Sequence, residues 1–577
     1  MSKKIKYVFT DNNHKVILPG AMAAANAYLN KICFEEIINE ALEWDQKQWN
    51  VSPGTLLKAV VLNTFSIRRA PLYKICSAYK DIDTERLFGE GVKAEQLTDA
   101  AIGEALERVY KSNAYKLFHT MSLSLFKKFN IPVKRLHSDT TSVTFYGSYD
   151  NDIDNINKCD MYVENSLNPI DITYGHNKDH RPDCKQLVLG QISNEAGIVL
   201  AYKCMDGNTS DVTWNKEALK LINEIQETNE NSKPIYVADC KLITKDLFKQ
   251  IAGDKGILFI SRVPASFSSK LEAKMKEKAY KDDKWDEIGA ISKEKNACKY
   301  EVQEYLEEVY GIATRLIVVK SSSSLTAFET SQQRQRIKLE KQIKEIDKKI
   351  FACEADALKE KDLFVKSYSK LPYNISIKVD EITKEIKPRG NPGKNPKPSV
   401  ITTEYKLDIT IGSEDQTVMT KLRQDAESFV LISNVPKAMS TATNILAEYK
   451  GQIVVELNFK TLKSPALTST VYLEKTERIE SLMMLMAVSL MIRAVILYFL
   501  RKGFAEGGQQ PKIGYTGGKI STVTMGLFEY AMDSLLIEKQ LNGVYRIDMQ
   551  HGISELRIRT FMKYLNLEFR DLISVKS

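Results

Sequence analysis

The sequence has few cysteines, and none of them forms a metal-binding or redox motif. Its 577 residues include eight Cys, which are scattered singly with no Cys-x2-Cys pair. Scattered thiols in a chain of this length are typical of a reducing compartment rather than of a disulfide framework. The first residues carry positive charges, but Asp11 and other polar residues follow them in place of an apolar segment. We therefore expect no signal peptide and a cytoplasmic protein.

Motifs of nucleotide binding and of serine hydrolases are also missing. The chain contains neither Gly-x-Ser-x-Gly nor Gly-x-Gly-x-x-Gly, and the stretch GYTGGKIS at 514–521 departs from a phosphate-binding loop at two positions. His176, His180 and Cys184 recur every four residues, but Gly and Pro in the same stretch argue against a helix that would align them. The spacing therefore does not predict a zinc site.

The overall composition is that of a globular protein. Hydrophobic residues make up 43% and charged residues 27%, which excludes a disordered, collagenous or membrane-embedded chain. The net charge of +8 permits a polyanionic partner without requiring one. The one long apolar run, 481–500, contains Arg493, which is costly inside a bilayer. We expect this run to be a helix buried in a soluble core.

The residue patterns divide the chain into five parts. Residues 1–130 show helical periodicity, with a capping Ser52 and a Pro53 at the first helical position of one segment. Residues 131–264 alternate as strands and helices, which predicts a mixed α/β layer. Residues 265–444 read as a long insertion that contains a Lys/Glu-rich amphipathic helix through Leu339 and Ile350. Helical patterns return in 445–500 and continue through 501–577.

Three acidic residues are candidates for chemistry. Asp139 lies near the C-terminal part of a strand predicted over 132–145, Asp239 ends a strand predicted over 234–239, and Glu456 lies in a helix predicted over 449–463. Acids at strand ends lie where ligands gather in α/β sheets, although each of the three alone is more often a turn former, a cap or a solvated residue. If they converge, three carboxylates suit Mg²⁺ or Mn²⁺. Two such ions can activate an attacking oxygen and stabilise the leaving oxygen of a phosphodiester.

Several ordered blocks resemble one family of enzymes. The helix predicted over 449–463 places Tyr449, Gln452, Glu456 and Lys463 at the spacing of a Tyr-x2-Arg-x3-Glu-x6-Lys signature. The chain is thereby similar to the DDE transposases of bacterial insertion sequences. Further blocks that resemble this family are DTTSVTFYG at 139–147, GHNKDHRPDCKQLVLG at 175–190, GNTSD at 207–211, VAD at 237–239 and the helical stretch SPGTLLKAVVLNTF at 52–65.

The resemblance implies an RNase H-like mixed-sheet core in 131–264 and 445–500, interrupted by the long insertion. A helical N-terminal domain that binds transposon ends precedes this core, and a helical C-terminal region follows it. Asp139, Asp239 and Glu456 would hold two Mg²⁺ or Mn²⁺ ions. The DNA contacts would come from Tyr449, Gln452, Lys463, Lys178 and Arg181.

By the same resemblance, the protein would cut double-stranded DNA at inverted-repeat ends and join the freed 3′-hydroxyls to target DNA. It would act as a homodimer in the DNA complex, in the bacterial cytoplasm and without a membrane. Gln452 stands where the signature has Arg, which removes a charge and a bidentate fork from one phosphate contact. Two alternatives stay open: a nuclease of the same core fold without strand transfer, and a DNA-binding relic or regulator that does not cut.

Overall fold

The computed structural model describes most of the chain, in two compact units. The described residues are 17–66, 69–147, 149, 169–228, 233–239, 244–253, 257–264, 267, 270–292, 296–368, 371–386, 399–464, 473–507, 512–520, 522–539, 545–549 and 552–573. The first unit comprises Met1–Ile260 and Glu448–Ser577, and the second comprises Ser261–Ala447. Within the insertion, most of the basic Pro/Gly-rich stretch at 389–399 lies outside the described residues.

The first unit begins with a short strand and a series of helices. These elements are β1 (Ile17–Pro19), α1 (Gly20–Lys31), α2 (Phe34–Ala41), α3 (Pro53–Asn63), α4 (Ile75–Tyr79), α5 (Thr84–Phe88), α6 (Asp99–Lys111) and α7 (Ala114–Lys128), with 3-10 helices at Leu72–Lys74 and Ala94–Gln96. Side-chain caps explain several helix starts. The Ser52 hydroxyl accepts the Thr55 N–H at 3.2 Å before Pro53, and Thr98 caps α6 in the same way. These caps confirm the helix start predicted at Ser52.

The mixed sheet of the first unit follows these helices in the sequence. Its strands are β2 (Arg135–Phe145), β3 (Lys185–Asn194), β4 (Val199–Met205), β5 (Ile235–Ala238) and β6 (Leu258–Arg262), in the order β4-β3-β2-β5-β6. The helices between them are α8 (Asp211–Thr228) and α9 (Lys245–Gly253). Strands β2, β3 and β4 pair antiparallel, whereas β5 and β6 run parallel to β2. The predicted mixed α/β layer is therefore present.

The remaining elements of the first unit follow the second unit in the sequence. They are α14 (Ala442–Lys450), which begins within the second unit, α15 (Ile453–Leu462), α16 (Thr476–Glu506), α17 (Met525–Met532), β13 (Leu536–Lys539), β14 (Tyr545–Asp548), α18 (Ile553–Tyr564) and α19 (Phe569–Ile573). The C-terminal region that we predicted as helical also contains strands, because β13 pairs antiparallel with both β14 and β1. The partner of β13 comes from the start of the chain, and local periodicity carries no signal of such a distant pairing.

Helix α16 is the central element of the helical core. It packs against α3, α6, α7 and β4. Among the described residues it is the one helix long and apolar enough to span a membrane, yet 83% of its most apolar window is buried inside the protein. Arg493, 6% exposed, donates to the Thr64 carbonyl at 2.6 Å and pairs with Glu529 at 2.8 Å. Arg69 bonds to the same two acceptors at 2.8 and 3.1 Å, so two arginines share the single carboxylate of Glu529. The prediction of a buried helix is confirmed.

The second unit contains a sheet, a helical pair and a long hairpin. Its elements are α10 (Leu271–Asp282), β7 (Asp286–Ala290), β8 (Lys299–Val309), β9 (Ile312–Ser321), α11 (Ser322–Ile346), α12 (Glu354–Tyr368), β10 (Tyr373–Ile386), β11 (Val400–Glu414), α13 (Gln416–Glu427) and β12 (Ser428–Ser433). Strands β12, β9, β8 and β7 pair antiparallel in that order, and β10 pairs with β11.

A separate small core holds the helical pair against the hairpin. Leu339 and Ile346 of α11 pack with Phe364 of α12 and Leu407 of β11 in one buried cluster. The predicted amphipathic helix is therefore present, but it ends at Ile346, so its predicted continuation to Ile350 is wrong. Ile350 lies in the connection to α12 and is 53% exposed.

Candidate active site

Asp139 lies on β2 at the point where one neighbouring strand ends. Strand β3 pairs with β2 along its whole length, from Leu136 to Phe145, whereas β5 pairs only from Arg135 to Ser138. Asp139 is thus in the middle of β2 rather than near its C-terminal end, which corrects the predicted position. Strand β2 continues beyond its pairing with β5, and its Thr and Val residues there are of the types that favour β structure.

Asp239 follows β5 directly and lies beside Asp139. The last parallel pair joins Ser138 to Ala238, so the two acids are the next residues on adjacent strands. Burial raises the pKa of Asp139 most strongly, and the negative charges of Asp239 and Asp211 raise it further. The Lys178 ammonium and the hydrogen bond from the Thr140 N–H lower the pKa of Asp139. The structure therefore brings two of the three predicted acids together.

Asp211 is a third carboxylate at this point, and our sequence analysis did not select it. It is the first residue of α8, and its carboxylate accepts a hydrogen bond from the Thr140 hydroxyl. The Lys178 ammonium lies 3.5 Å from Asp139 Oδ1 and 3.4 Å from Asp211 Oδ1. The GNTSD block ends at this residue and was one of the blocks that carried the family resemblance, so a signal for Asp211 was present in the sequence.

A row of hydroxyls on β2 holds the loop that supplies Lys178. Thr140, Ser142 and Thr144 alternate along the strand and so share one face. Lys178 donates its N–H to the Ser142 hydroxyl at 2.9 Å, and Asn177 donates its side-chain amide to the Thr144 hydroxyl at 3.1 Å. The Asn177 side chain also accepts the N–H groups of the two loop residues 179 and 181. This loop is therefore attached to the strand that carries Asp139.

The signature residues do not lie on one continuous helix. Helix α14 ends at Lys450 and α15 begins at Ile453, so the predicted single helical face from Tyr449 to Lys463 is wrong. Around Gly451 the N–H groups donate to carbonyls three residues back, which tightens the turn between the two helices. Gln452 lies in this turn and donates from Nε2 to the Ser138 carbonyl at 3.3 Å. The residue in the place of the signature Arg thus contacts β2 next to Asp139.

Glu456 lies on α15, which packs against β2 and β3. Asn458 fixes the helix to the β3–β4 hairpin by donating to the Gly197 carbonyl at 2.8 Å. The Glu456 side chain itself is exposed. Within the described ranges, no three His, Cys, Asp or Glu side chains lie in an arrangement that is ready to hold a metal ion. The metal-binding role of Glu456 therefore stays a prediction.

The predicted DNA-contacting cations are paired with acids in this structure. Lys463 follows α15 and lies 2.5 Å from Asp179 Oδ1. Arg181 forms two hydrogen bonds to Asp183, at 2.9 and 2.8 Å, and lowers the pKa of that carboxyl to about 2. The Arg181 guanidinium also lies 5.4 Å from the centre of the exposed Tyr146 ring. A phosphate would have to compete with these acids for the predicted cations.

The two neighbouring carboxylates on β2 and after β5 fit a divalent cation in their chemistry. Asp139 and Asp239 offer only oxygen donors, which Mg²⁺ and Mn²⁺ prefer. The negative neighbours that raise the Asp139 pKa are a source of repulsion that a bound cation relieves. The close approach of the Lys178 ammonium to Asp139 and Asp211 is consistent with a place where positive charge is favoured.

Comparison with known proteins identifies the family. Residues 168–492, more than half of the chain, match the family described as a transposase DDE domain. Residues 22–123 match a domain of unknown function, DUF4277. A search of curated proteins gave no match. One similar solved structure is a cryo-EM structure of the piggyBac transposase synaptic complex with hairpin DNA, at 9% identity, 96% coverage of this chain and 86% of that chain. Its TM-score of 0.36 is too low to establish a common fold.

The family match extends from the loop that supplies Lys178 to the helix that carries Glu456, so it includes Asp211 and Asp239 but begins after Asp139. Enzymes with this domain act on DNA and in general require divalent metal ions. The chain belongs to the family of transposases with a DDE domain.

Proposed function

We propose that this protein is the transposase of a bacterial insertion sequence, which cuts the inverted-repeat ends of its element and joins the 3′-hydroxyls to target DNA. The observation that carries the proposal is the meeting of Asp139 and Asp239 on adjacent parallel strands. Asp239 lies within the range that matches the DDE domain, and Asp139 lies before the start of that range. A mixed sheet with three antiparallel strands followed by two parallel ones supports the RNase H-like core.

The proposed metal site consists of Asp139, Asp239 and Glu456. Bound Mg²⁺ or Mn²⁺, with two ions in the complete site, would activate the attacking oxygen and neutralise charge on the phosphodiester. The chain's own groups prepare this site in two ways. Strands β2 and β5 hold the first two carboxylates in register. Gln452 attaches the turn before α15 to the Ser138 carbonyl, which keeps the helix that carries Glu456 beside Asp139.

The proposed DNA contacts are Tyr449, Gln452, Lys463, Lys178 and Arg181. Lys463 pairs with Asp179 of the loop at 175–184, and Arg181 belongs to that loop. Tyr449 lies in α14 before the turn at Gly451, and Gln452 lies in the turn itself. Cationic side chains such as those of Lys463 and Arg181 contact phosphates and set the position of the duplex. Gln452 can donate hydrogen bonds but lacks the charge of Arg, so we expect weaker end binding and unchanged chemistry.

The helical segment before the sheet is proposed to bind the transposon ends, and the active species is proposed to be a homodimer on DNA in the bacterial cytoplasm. Both assignments rest on the Tyr-x2-Arg-x3-Glu-x6-Lys resemblance. The five-part domain division also stays a prediction.

The decisive experiment is an in vitro reaction with the element's own end DNA, a target plasmid and Mg²⁺. The wild type should cut the ends and join them to the plasmid. Glu456→Ala should bind the same DNA in Ca²⁺ but neither cut nor join. Glu506→Ala, which removes an exposed glutamate at the end of α16, serves as the matched control and should retain both activities.

Each of the other outcomes would indicate a different function or a different metal site. Cutting without joining would indicate the nuclease of the same core fold. Binding without cutting by the wild type in Mg²⁺ and Mn²⁺ would indicate the DNA-binding relic. If Glu456→Ala matches the wild type, Glu456 is a solvated helix residue and the proposed metal site lacks its third acid.

A further inference from the structure

Lys178 is turned towards the acids of the candidate active site. Its ammonium donates to the carbonyl and to the hydroxyl of Thr140, each at 2.7 Å. It also lies 3.5 Å from Asp139 Oδ1 and 3.4 Å from Asp211 Oδ1, and the side chain is only 32% exposed. The ammonium thus has four oxygen neighbours, two of which are carboxylate oxygens. Oxygen atoms of this kind are also the ligands of hard divalent cations.

Contacts of the main chain and of Thr140 hold Lys178 in this position. Its N–H is bound by the Ser142 hydroxyl, and its side chain reaches β2 beyond the last pair that β2 makes with β5. Asp211 is held at the other side of the ammonium by its hydrogen bond from the Thr140 hydroxyl. Thr140 therefore connects both acids to the lysine, because its N–H donates to Asp139 Oδ1 at 2.7 Å.

We propose that Lys178 is a built-in cation of the active site, which neutralises Asp139 and Asp211 until a divalent metal ion binds and displaces it. The inference rests on the proposed function, in which Asp139 is a metal ligand. An ammonium and a divalent cation repel one another, and both require the same carboxylate oxygen. Metal binding must therefore move the Lys178 side chain away, and the protein gives up the contacts of the ammonium when it binds the metal.

The proposal also gives Lys178 its predicted contact with DNA. While the ammonium lies against the two acids, it is not directed to a phosphate. Once displaced, it becomes a cation on the loop beside the active site. Metal binding would then supply one phosphate contact that is missing in the metal-free protein.

The test measures metal binding by the full chain without DNA. Mn²⁺ is titrated into the protein, and free Mn²⁺ is followed by electron paramagnetic resonance. Lys178→Met should bind Mn²⁺ at least about tenfold more tightly than the wild type, which corresponds to about 1.4 kcal/mol. Lys220→Met is the matched control, since this exposed lysine on α8 pairs with Glu217, and it should bind as the wild type does. Asp139→Asn should weaken binding.

The outcomes separate this inference from the proposed function. If Asp139→Asn binds Mn²⁺ as the wild type does, the proposed metal site itself is wrong. If Asp139→Asn weakens binding while Lys178→Met equals Lys220→Met, the metal site stands and the role of Lys178 is wrong. Weaker binding by Lys178→Met would also overturn the inference, because Lys178 would then support the acids rather than compete for them.

Thermal unfolding provides a second measurement, in which Lys178→Met should lower stability without metal although it strengthens metal binding. In a chelating buffer, Lys178→Met should unfold at a lower temperature than the wild type, because the acids lose their neutralising cation. Saturating Mn²⁺ should raise its unfolding temperature by more than it raises that of the wild type. Lys178→Gln, which keeps a hydrogen-bond donor, replaces Lys178→Met if that variant does not fold. Equal stabilisation of variant and wild type by Mn²⁺ would contradict the inference.

Discussion

Replacing Asp179 by asparagine should strengthen DNA binding, because Asp179 holds the signature lysine in the DNA-free protein. The Lys463 ammonium lies 2.5 Å from Asp179 Oδ1. For Lys463 to contact a phosphate, it must leave this carboxylate. Asp179→Asn removes the negative charge and keeps the shape of the side chain, so the ammonium becomes available to DNA without the cost of breaking an ion pair.

The size of the effect follows from the exposure of the pair. The two side chains are 25% and 37% exposed, so water screens their attraction substantially. Ion pairs of this kind contribute up to about 1 kcal/mol, which corresponds to about a fivefold gain in DNA affinity at most. The number of phosphate contacts does not change, so the slope of log affinity against log salt should stay the same. Lys463→Ala should instead lower that slope by about 0.9.

The assay is fluorescence anisotropy with a labelled duplex of the element's end, in Ca²⁺, over a series of salt concentrations. Glu217→Gln is the matched control, since it removes a carboxylate that pairs with Lys203 and Lys220 on a surface with no predicted DNA contact. This control should leave both affinity and slope unchanged.

Weaker DNA binding by Asp179→Asn would refute the reasoning. Asp179 Oδ2 also accepts a hydrogen bond from the Thr144 hydroxyl at 3.3 Å. In that case the main role of Asp179 would be to order the loop, and its pairing with Lys463 would be secondary.

Three further predictions concern stability. Glu529→Gln should lower the free energy of unfolding by about 3 kcal/mol, because it leaves the buried Arg493 without a countercharge. Arg493→Met should lower it by less than about 1.5 kcal/mol, since Arg69 still bonds to the same acceptors. Urea unfolding measures both changes. Burial raises the pKa of Glu480 from 4.5 to about 7, so its charged form opposes folding as the pH rises through this window. Glu480→Gln should therefore raise the unfolding temperature at pH 8 and change it little at pH 4. Gly190→Ala should prevent soluble folding, because its Cβ would lie 2.4 Å from the Trp214 ring; a wild-type circular dichroism melt would contradict this.

The sequence alone predicted the local elements well where one short-range signal was sufficient. The alternation of strands and helices in 131–264 predicted the mixed layer in which β3 and β4 lie. The start of α3 follows from Ser52 and Pro53. The exception is the helix predicted through Gly451, because local bonds to carbonyls three residues back break a pattern that had the correct helical spacing.

The candidate site was predicted from residue identities, and its arrangement was not. Ordered blocks selected Asp139 and Asp239, yet neither block specifies that the two strands are adjacent, parallel and in the register that makes the acids neighbours. Parallel pairing requires a long crossover connection, so it depends on packing across distant parts of the chain. The place of Glu456 relative to the other acids stays a prediction.

What the sequence by itself determined is the class of structure, the family and the identity of the candidate acids, since these are encoded in composition, short periodicities and ordered motifs. Only the tertiary structure decided that Asp211 joins Asp139, that Lys178 lies between them, and that β13 pairs with β1. Each of these contacts joins residues far apart in the sequence. Their formation depends on the chain closing large loops and burying a common core, and no local pattern records that outcome.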